Sequence, residues 1–379
     1  MFSSLCVHLQ QLRWCGFFRL SSCQPAWLRK LHDVYRRLSL TFTATYIVQM
    51  CIYAYQERND MDKMAQAMFL LLCHITSIAK QIVFFVDADR IDPMHLSTDP
   101  LYNQSDRQHQ ALLVEAARGA GRFARAFSTA AVGVCTLWLI FPIMYYARGQ
   151  PVEFPFWVYV EYSDPVRFAL ISLYSYYVQS LVGIGDTSMD AFIATVLKQS
   201  KVQLTILRIN FENLPNYAEN ILKSSSTTNE TFEKVLNRLF LDCLKHYRKI
   251  SEMTHLLQDI FGSAILVQFG IGGWILCLVA YKMVDLNVLS VEFASMTLFI
   301  CCILTELFLY CYYGNEVTVE SDRVVESLYA MEWRHTSTRF RRSLIVVMER
   351  AKRPLRPVAG RVIPLSLDTF VKVSPLLLI

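Results

Sequence analysis

Residues 305–373 read TELFLYCYYGNEVTVESDRVVESLYAMEWRHTSTRFRRSLIVVMERAKRPLRPVAGRVIPLSLDTFVKV. This stretch opens as the end of an apolar run, continues through a polar and then a basic segment, and closes on a partly charged apolar segment. The order predicts a membrane helix that leaves the bilayer, a polar helical connection on that side, and a last helix that re-enters. The rest of the chain must therefore supply the other spans of a membrane protein.

Composition points the same way. Of the 379 residues, 54% are hydrophobic and 18% are charged, and the mean hydropathy is +0.30. Soluble domains carry about a quarter charged residues, so the balance favours an integral membrane protein. Most of the eleven cysteines lie in apolar runs, which argues against a disulfide framework. No secretory signal is evident, so the first span is expected to act as its own signal anchor.

Seven segments are candidate transmembrane helices, since a helix needs about 20 apolar residues to cross the hydrocarbon core. The last is the least apolar, and it carries charges. The predicted fold is all-α, with spans at residues 38–55, 64–86, 126–147, 168–185, 260–281, 293–313 and 362–379.

Lysine and arginine counts orient the bundle, because cytoplasmic loops carry the excess of positive charge. The N-terminal segment and every second loop after it hold 28 of these residues, and the loops on the other side hold 4. The tally leaves out Arg167, which stands beside the start of span four. The N-terminus is therefore predicted to be cytoplasmic and the C-terminus extracellular, the reverse of a G-protein-coupled receptor.

The spans and their orientation divide the chain into six parts. They are a cytoplasmic N-terminal segment (1–37), spans one to four (38–185), a cytoplasmic helical anchor region (186–259), spans five and six (260–313), a cytoplasmic anchor or connection (314–357), and a short last span (358–379).

The region after span four is predicted to be helical. Apolar residues at helical spacing, from Phe192 to Ile209, carry span four well past the membrane. Pro215 then breaks the helix, and Thr227 with Glu230 matches a capping box for the next one. The extensions form either an intracellular platform between subunits or a solvated amphipathic loop.

Charges inside the predicted spans are costly in lipid and must face protein or water. Glu306 is either a structural hydrogen-bonding residue or part of an ion site. Asp368 and Lys372 share one helical face, which fits either a water-filled lumen or a solvated salt bridge below the bilayer. The sequons at Asn103 and Asn229 fall on the predicted cytoplasmic side and are expected to stay bare.

No constellation predicts an enzyme. The eight histidines show no metal-ligand spacing, and no motif indicates a cofactor or a nucleic-acid partner.

Aromatic, methionine and hydroxyl side chains on the outer halves of spans two, three, four and six form a candidate pocket for a small apolar ligand. Ordinary helix packing would use the same residue types. The candidate ligand-binding residues are Met68, Phe69, Leu72, Trp138, Phe141, Met144, Tyr145, Phe168, Ile171, Tyr174, Ser175, Phe293, Met296 and Thr297.

Four motifs carry a resemblance to a known family: PFWVYVEYSDPVRF at 155–168, TELFLYCYYGNEVTVES at 305–321, RRSLIVVMERAKRPL at 341–355 and AGRVIPLSLDTFVKV at 359–373. Together they closely resemble the insect odorant receptors. The resemblance implies a tetrameric, odorant-gated, non-selective cation channel formed with a shared co-receptor. It implies a volatile odorant in the outer half of the bundle and a plasma-membrane location in olfactory sensory neurons.

The resemblance also makes the last span the pore wall. It implies pore positions at Asp368 and Lys372 and an apolar constriction at Val371 and Pro375. One departure is evident, since family members usually continue the helix where this chain reads SPLLLI. A proline inside a helix costs about 3 kcal/mol, so this ending is expected to reduce odorant-gated current.

Three alternatives fit the sequence less well. A gustatory receptor of the same superfamily would share the topology, but its tyrosine-led last-span motif is not seen. The charge tally opposes a G-protein-coupled receptor. A transporter would show interrupted spans in corresponding halves, and none is apparent.

Overall fold

The computed structural model describes residues 2–21, 24–91, 107–150, 152, 154–159, 164–224, 231–284, 286–287 and 290–373. Within these residues the chain is almost entirely helical. The elements are α1 (Phe2–Trp14), α2 (Ala26–Gln56), α3 (Met61–Val86), α4 (Ala88–Ile91), α5 (Arg107–Ala147), α6 (Pro165–Glu212), α7 (Leu214–Ser224), α8 (Phe232–Val284), α9 (Val291–Ala330), α10 (Thr338–Ala351), β1 (Val358–Ala359), β2 (Ile363–Pro364) and α11 (Leu367–Val373).

Five of the described helices, α3, α5, α6, α8 and α9, are long and apolar enough to cross a membrane. They contain the second to sixth predicted spans. The first predicted span lies in α2, where hydroxyl side chains lower the hydropathy; Thr43 Oγ1, for example, donates to the Ser39 carbonyl at 3.1 Å. The predicted all-α fold with several apolar spans is therefore confirmed, although the helices extend beyond the predicted segments.

The helices meet at two ends of different construction. At one end, residues 57–60, 148–164 and 285–290 join α2 to α3, α5 to α6 and α8 to α9; we call this the short-loop end. At the other end lie the last part of α6 (from residue 195), the first part of α8 (to residue 255) and the last part of α9 (from residue 314). They pack with α7 and α10, and we call this the long-helix end. At 1.5 Å per residue, the 48 residues of α6 span about 72 Å, more than twice the hydrocarbon core.

Side-chain caps fix where several helices begin. The Asp60 carboxylate accepts from the backbone N–H groups of Asp62 and Lys63, at 3.0 and 3.2 Å. Ser290 Oγ accepts from Phe293 N at 3.0 Å. These contacts satisfy N–H groups that no intrahelical carbonyl can reach, and so they set the phase of α3 and α9 at the short-loop end.

The predicted extension of span four is present, since α6 continues to Glu212. The break predicted at Pro215 is short, because α6 ends at Glu212 and α7 begins at Leu214. There the proline occupies the first turn of a helix, where its missing N–H has no intrahelical partner to lose. The predicted capping box at Thr227 and Glu230 lies outside the described residues, and so do both sequons.

The start of the last predicted span was wrong. Residues 362–366 do not begin a helix: Ile363 and Pro364 pair with β1 in a two-stranded antiparallel hairpin, and α11 starts only at Leu367. Gly360 (φ 56°) and Arg361 (φ 62°) turn the chain in the left-handed region that a glycine adopts readily. A hairpin, not a helical turn, therefore leads into the last helix.

Gly314 on α9 receives this hairpin closely. A Cβ on Gly314 would lie 2.4 Å from Leu365 Cβ and 2.6 Å from Leu365 O. The lack of a side chain thus lets the backbone before α11 rest directly on α9.

Candidate ligand-binding cavity

A cavity of about 380 Å³ opens between α3, α5, α6 and α9 at the short-loop end. Residues after α5 and at the end of α8 complete its walls. The lining side chains are Gln66, Phe69, Leu70, Cys135, Trp138, Leu139, Phe141, Pro142, Tyr145, Val152, Phe154, Pro155, Ser172, Ser175, Tyr176, Gln179, Lys282, Leu286, Glu292, Ser295 and Met296.

Aromatic rings form one side of the cavity. Trp138 of α5 lies with its ring centroid 5.9 Å from that of Phe69 and 5.4 Å from that of Phe299, and those two phenylalanines are 5.8 Å apart. These separations are in the range of favourable edge-on and tilted ring pairs. Phe69 and Trp138 line the cavity, and Phe299 packs against both rings, so three helices hold an aromatic wall against which an apolar ligand can pack.

Polar groups at the cavity fall into two kinds. Near the mouth, Tyr145 OH donates to Glu292 Oε1 at 2.6 Å and ties α5 to α9. Deeper, Trp138 Nε1 and Ser172 Oγ are buried without a hydrogen-bond partner. A buried donor without a partner costs about 1–3 kcal/mol, which a ligand carrying a polar atom would recover.

The structure brings six of the fourteen predicted ligand-binding residues to this cavity. They are Phe69, Trp138, Phe141, Tyr145, Ser175 and Met296.

Five of the other eight pack within the bundle. Phe168 stacks on Tyr146 with centroids 4.1 Å apart, and Tyr174 OH donates to Gln49 Oε1 at 3.0 Å. Met68, Leu72 and Ile171 are partly buried against the hydrophobic core.

The last three do not line the cavity either. Met144 and Phe293 are half-buried, and Thr297 is exposed with its hydroxyl donating to the Phe293 carbonyl at 2.8 Å.

Sequence reasoning missed several lining residues. Gln179, one turn after Ser175, donates to Tyr46 OH at 3.1 Å and to Ser175 Oγ at 3.3 Å. The helical spacing from Ser175 could have found Gln179, because residues four apart share a face. Val152 and Pro155, which come from an irregular segment, carried no comparable signal.

A second, smaller chamber of about 110 Å³ lies deeper, and we call it the lower chamber. It shares Leu70, Cys135, Trp138 and Gln179 with the cavity above, so the two spaces are adjacent. Its other lining residues are Cys73, His74, Thr76, Phe127, Ala131, Val134, Val182, Gly183, Asp186, Thr187, Phe299, Cys302, Ile303 and Glu306.

Buried charges adjoin the lower chamber and explain Glu306. Lys80 is fully buried, and its Nζ lies 2.6 Å from Glu306 Oε1, 2.8 Å from Asp190 Oδ1 and 2.8 Å from Asp186 Oδ1. Tyr310 OH also donates to Asp190. The three carboxylates are close enough to suggest a metal site, but the Lys80 ammonium already occupies the position between them. Glu306 is thus part of an ion-paired cluster.

The predicted pore residues lie on α11. Asp368 and Lys372 form an ion pair at 2.7 Å with both side chains about three-quarters exposed (75% and 74%). Val371 is 59% exposed. Pro375 lies outside the described residues.

Comparison with known proteins places this fold. The chain superimposes on the insect olfactory receptor OR5 from Machilis hrabei with a TM-score of 0.81 over 98% of this chain and 94% of that one, at 14% identity. The same receptor in complex with eugenol gives a TM-score of 0.81 over 99% and 95%, at 15% identity. At such identity the likeness establishes the fold.

Sequence relatives agree with the structural match. The chain is 24% identical to odorant receptor 22b of Drosophila melanogaster over 56% of this chain and 51% of that one. Odorant receptor Or2 of Anopheles gambiae is 24% identical, with 48% and 47% covered. The chain thus spans about half the length of the curated relatives it matches. The family model described as 7tm Odorant receptor matches residues 60–376, well over half of the chain. The protein therefore belongs to the seven-transmembrane odorant receptor family.

Proposed function

We propose that this chain is an odorant receptor subunit that binds a small volatile ligand and gates a cation channel together with a co-receptor. The observation that carries the proposal is the cavity of about 380 Å³ at the short-loop end. Its volume lies within the range of small-molecule sites, and its wall is mainly apolar, with six aromatic residues and several polar groups. The receptor from Machilis hrabei, which shares this fold, forms a complex with eugenol.

The same proposal sets the orientation and the location. The 28-to-4 charge tally supports a cytoplasmic N-terminus, so the short-loop end faces outward and the long-helix end faces the cytoplasm. The membrane is then the plasma membrane of a sensory neuron, with the cavity open to arriving odorant. The role of Asp368, Val371 and Lys372 in the pore rests on the family resemblance and on their position on the exposed α11.

Current recorded from cells that co-express the chain and the co-receptor tests the proposal. A panel of volatiles should evoke inward current above that of the co-receptor alone. Met296→Trp should reduce or abolish this response, because the larger ring occupies the cavity. Thr297→Trp, at the adjacent exposed position, is the matched control and should respond like the unaltered chain.

Two results would contradict the proposal. The first is an absence of volatile-evoked current at verified surface expression. The second is an equal effect of the two tryptophan substitutions, which would show that filling this cavity has no special consequence.

A further inference from the structure

The lower chamber differs chemically from the cavity above it, because carboxylates form part of its wall. Asp186 and Glu306 both line it. The Glu306 side chain is 4% exposed and that of Asp190 is 1% exposed, whereas that of Asp186 is 20% exposed. Asp186 is therefore the carboxylate of the cluster that is most open to the chamber.

The cluster holds more negative than positive groups. Lys80 supplies one ammonium, and Asp186, Asp190 and Glu306 supply three carboxyl groups. Buried charges are stable only when they are paired or neutralised. Two of the carboxyl groups must therefore be neutralised by protons or by another cation, and the chamber is the open space beside them.

A separate observation points to a ligand with hydrogen to donate. His74 is 4% exposed and lines the chamber; its Nδ1 bonds with the Leu70 carbonyl at 2.9 Å, and its Nε2 has no partner. With the proton on Nδ1, Nε2 is an acceptor.

The hydroxyl donors of the lining already have acceptors. Thr76 Oγ1 donates to the Cys73 carbonyl at 2.8 Å, and Thr187 Oγ1 donates to that of Gly183 at 2.9 Å. Trp138 Nε1 stands at the junction with the cavity above. The wall of the lower chamber therefore offers hydrogen-bond acceptors to a ligand.

We propose that the lower chamber binds the ammonium head of a small aliphatic amine, with its apolar tail extending past Trp138 into the cavity above. Asp186 pairs with the head, and His74 Nε2 accepts one of its hydrogens. An inorganic cation between the three carboxylates would have to displace Lys80, whereas a ligand ammonium enters beside them. This inference rests on the proposed function, and it names the chemical class that the site accepts.

Thermal unfolding of the purified chain in detergent at pH 7 tests the inference without requiring channel activity. A ligand that binds only the folded state raises the melting temperature. Butylammonium chloride should raise it by about 2 °C or more near saturation. Butanol and sodium chloride at the same concentration should not. An equal rise with butanol, or with sodium chloride, would overturn the assignment of an amine site.

Variants of the lower chamber test where the ammonium head of the ligand binds. Asp186→Asn should remove the rise caused by butylammonium. Asp190→Asn is the matched control: Asp190 contacts Lys80 and Tyr310 but does not line the chamber, so the rise should remain. Should Asp186→Asn fail to fold, Gly183→Val decides instead. A Cβ there meets Cys135 Sγ only at 3.6 Å, and the added methyl groups narrow the chamber without altering a charge. Persistence of the full rise in Gly183→Val would overturn the proposal.

The two proposals fail separately. A butylammonium effect that depends on Asp186, together with no current from any volatile, would contradict the receptor function while leaving the amine site standing. Current evoked by neutral volatiles, together with no effect of butylammonium, would contradict only the amine site.

Discussion

One polar network at the long-helix end and the cavity at the short-loop end use polar groups in opposite ways. At the long-helix end, Arg208 Nη1 lies 2.7 Å from Glu320 Oε2 and its Nε donates to Ser327 Oγ at 3.0 Å, so three polar side chains satisfy one another. At the short-loop end, Trp138 Nε1 and Ser172 Oγ are buried beside open space without partners. We call this network of Arg208, Glu320 and Ser327 the filled end; a separate groove lies between α6, α7 and α8 at the same end of the bundle. The cavity at the short-loop end keeps polar groups without partners, which a ligand can use.

The aromatic side chains also pack differently at the two ends of the bundle. Phe240 of α8 lies 6.1 Å from Phe211 of α6 and 5.1 Å from Phe340 of α10, so rings from three helices pack together at the long-helix end. The rings of Phe69, Trp138 and Phe299 have similar spacings, but Phe69 and Trp138 face the cavity and Phe299 faces the lower chamber. The same residue types therefore build a core at one end and a ligand wall at the other, according to whether the helices leave space between them.

The largest expected effect comes from breaking the filled end. Arg208→Met leaves Glu320, only 10% exposed, without its strongest partner. Removing one member of a fully buried pair costs about 3–5 kcal/mol. Because Arg208 is 22% exposed, we expect about 2–3 kcal/mol. Thermal or urea unfolding of the purified protein measures this loss.

Arg248→Met on α8 is the matched control for this prediction. Arg248 pairs with Glu252 at 2.7 Å, but its side chain is 80% exposed. Exposed pairs contribute about 0–1 kcal/mol, so this variant should keep nearly full stability. A comparable loss in the two variants would remove the distinction between a filled and an open end.

A smaller effect is expected when acid protonates a histidine at the long-helix end. Burial lowers the pKa of His246 from 6.5 to about 4, with a minor contribution from His109. Its folded pKa is therefore below the unfolded value, and the unfolded chain binds the extra proton between these limits. Stability is full above about pH 6.5 and falls as the pH drops toward 4. At pH 5 the loss from this group is about 2 kcal/mol.

His246→Gln isolates this contribution. The variant keeps a polar side chain opposite Gln203, whose Oε1 lies 2.9 Å from His246 Nε2. Between pH 7 and pH 5 its unfolding free energy should fall by less than that of the unaltered chain. Identical pH profiles would show that protonation of His246 does not couple to folding.

The smallest expected effect concerns the open end. Trp138→Ala removes one ring of the aromatic wall and should raise the half-maximal odorant concentration about tenfold, which corresponds to about 1.4 kcal/mol. Surface expression should persist, because the lost ring faces a cavity. Trp274→Ala, at a position 70% exposed on α8, is the control. Equal dose-response curves for Trp138→Ala and the unaltered chain would place the ligand elsewhere.

Much of the fold follows from features that the sequence carries locally. Runs of apolar residues placed α3, α5, α6, α8 and α9, because the length needed to cross a bilayer is a one-dimensional property. The hairpin before α11 escaped prediction because the apolar composition of residues 362–366 suits a strand as well as a helix. Gly360 was the available turn signal.

The candidate site was predictable only in part. Side chains such as Phe141 and Tyr145 were placed by depth along a span, and depth was sufficient to bring them to the cavity. Depth does not give rotation about the helix axis, so Phe168 and Thr297 were chosen although their side chains point elsewhere. The pairing of Lys80 with Glu306, 226 positions apart, depends on tertiary packing that no local pattern encodes.

Helix α9 takes part in each of these regions. It brings Met296 to the cavity, Glu306 to the charge cluster, Gly314 to the segment before α11, and Glu320 to the long-helix network. No proline interrupts it between Val291 and Ala330.

Mechanically, an unbroken helix of this kind is a lever. About 27 Å separates Met296 from Gly314 at 1.5 Å per residue, so a tilt of about 5° at the cavity would displace Gly314 by about 2 Å. At Gly314 no side chain cushions the contact, because the backbone of Leu365 rests on the bare helix. The close contact between Gly314 and Leu365 leaves no room for a displacement of that size, so the chain leading into α11 would have to move with α9.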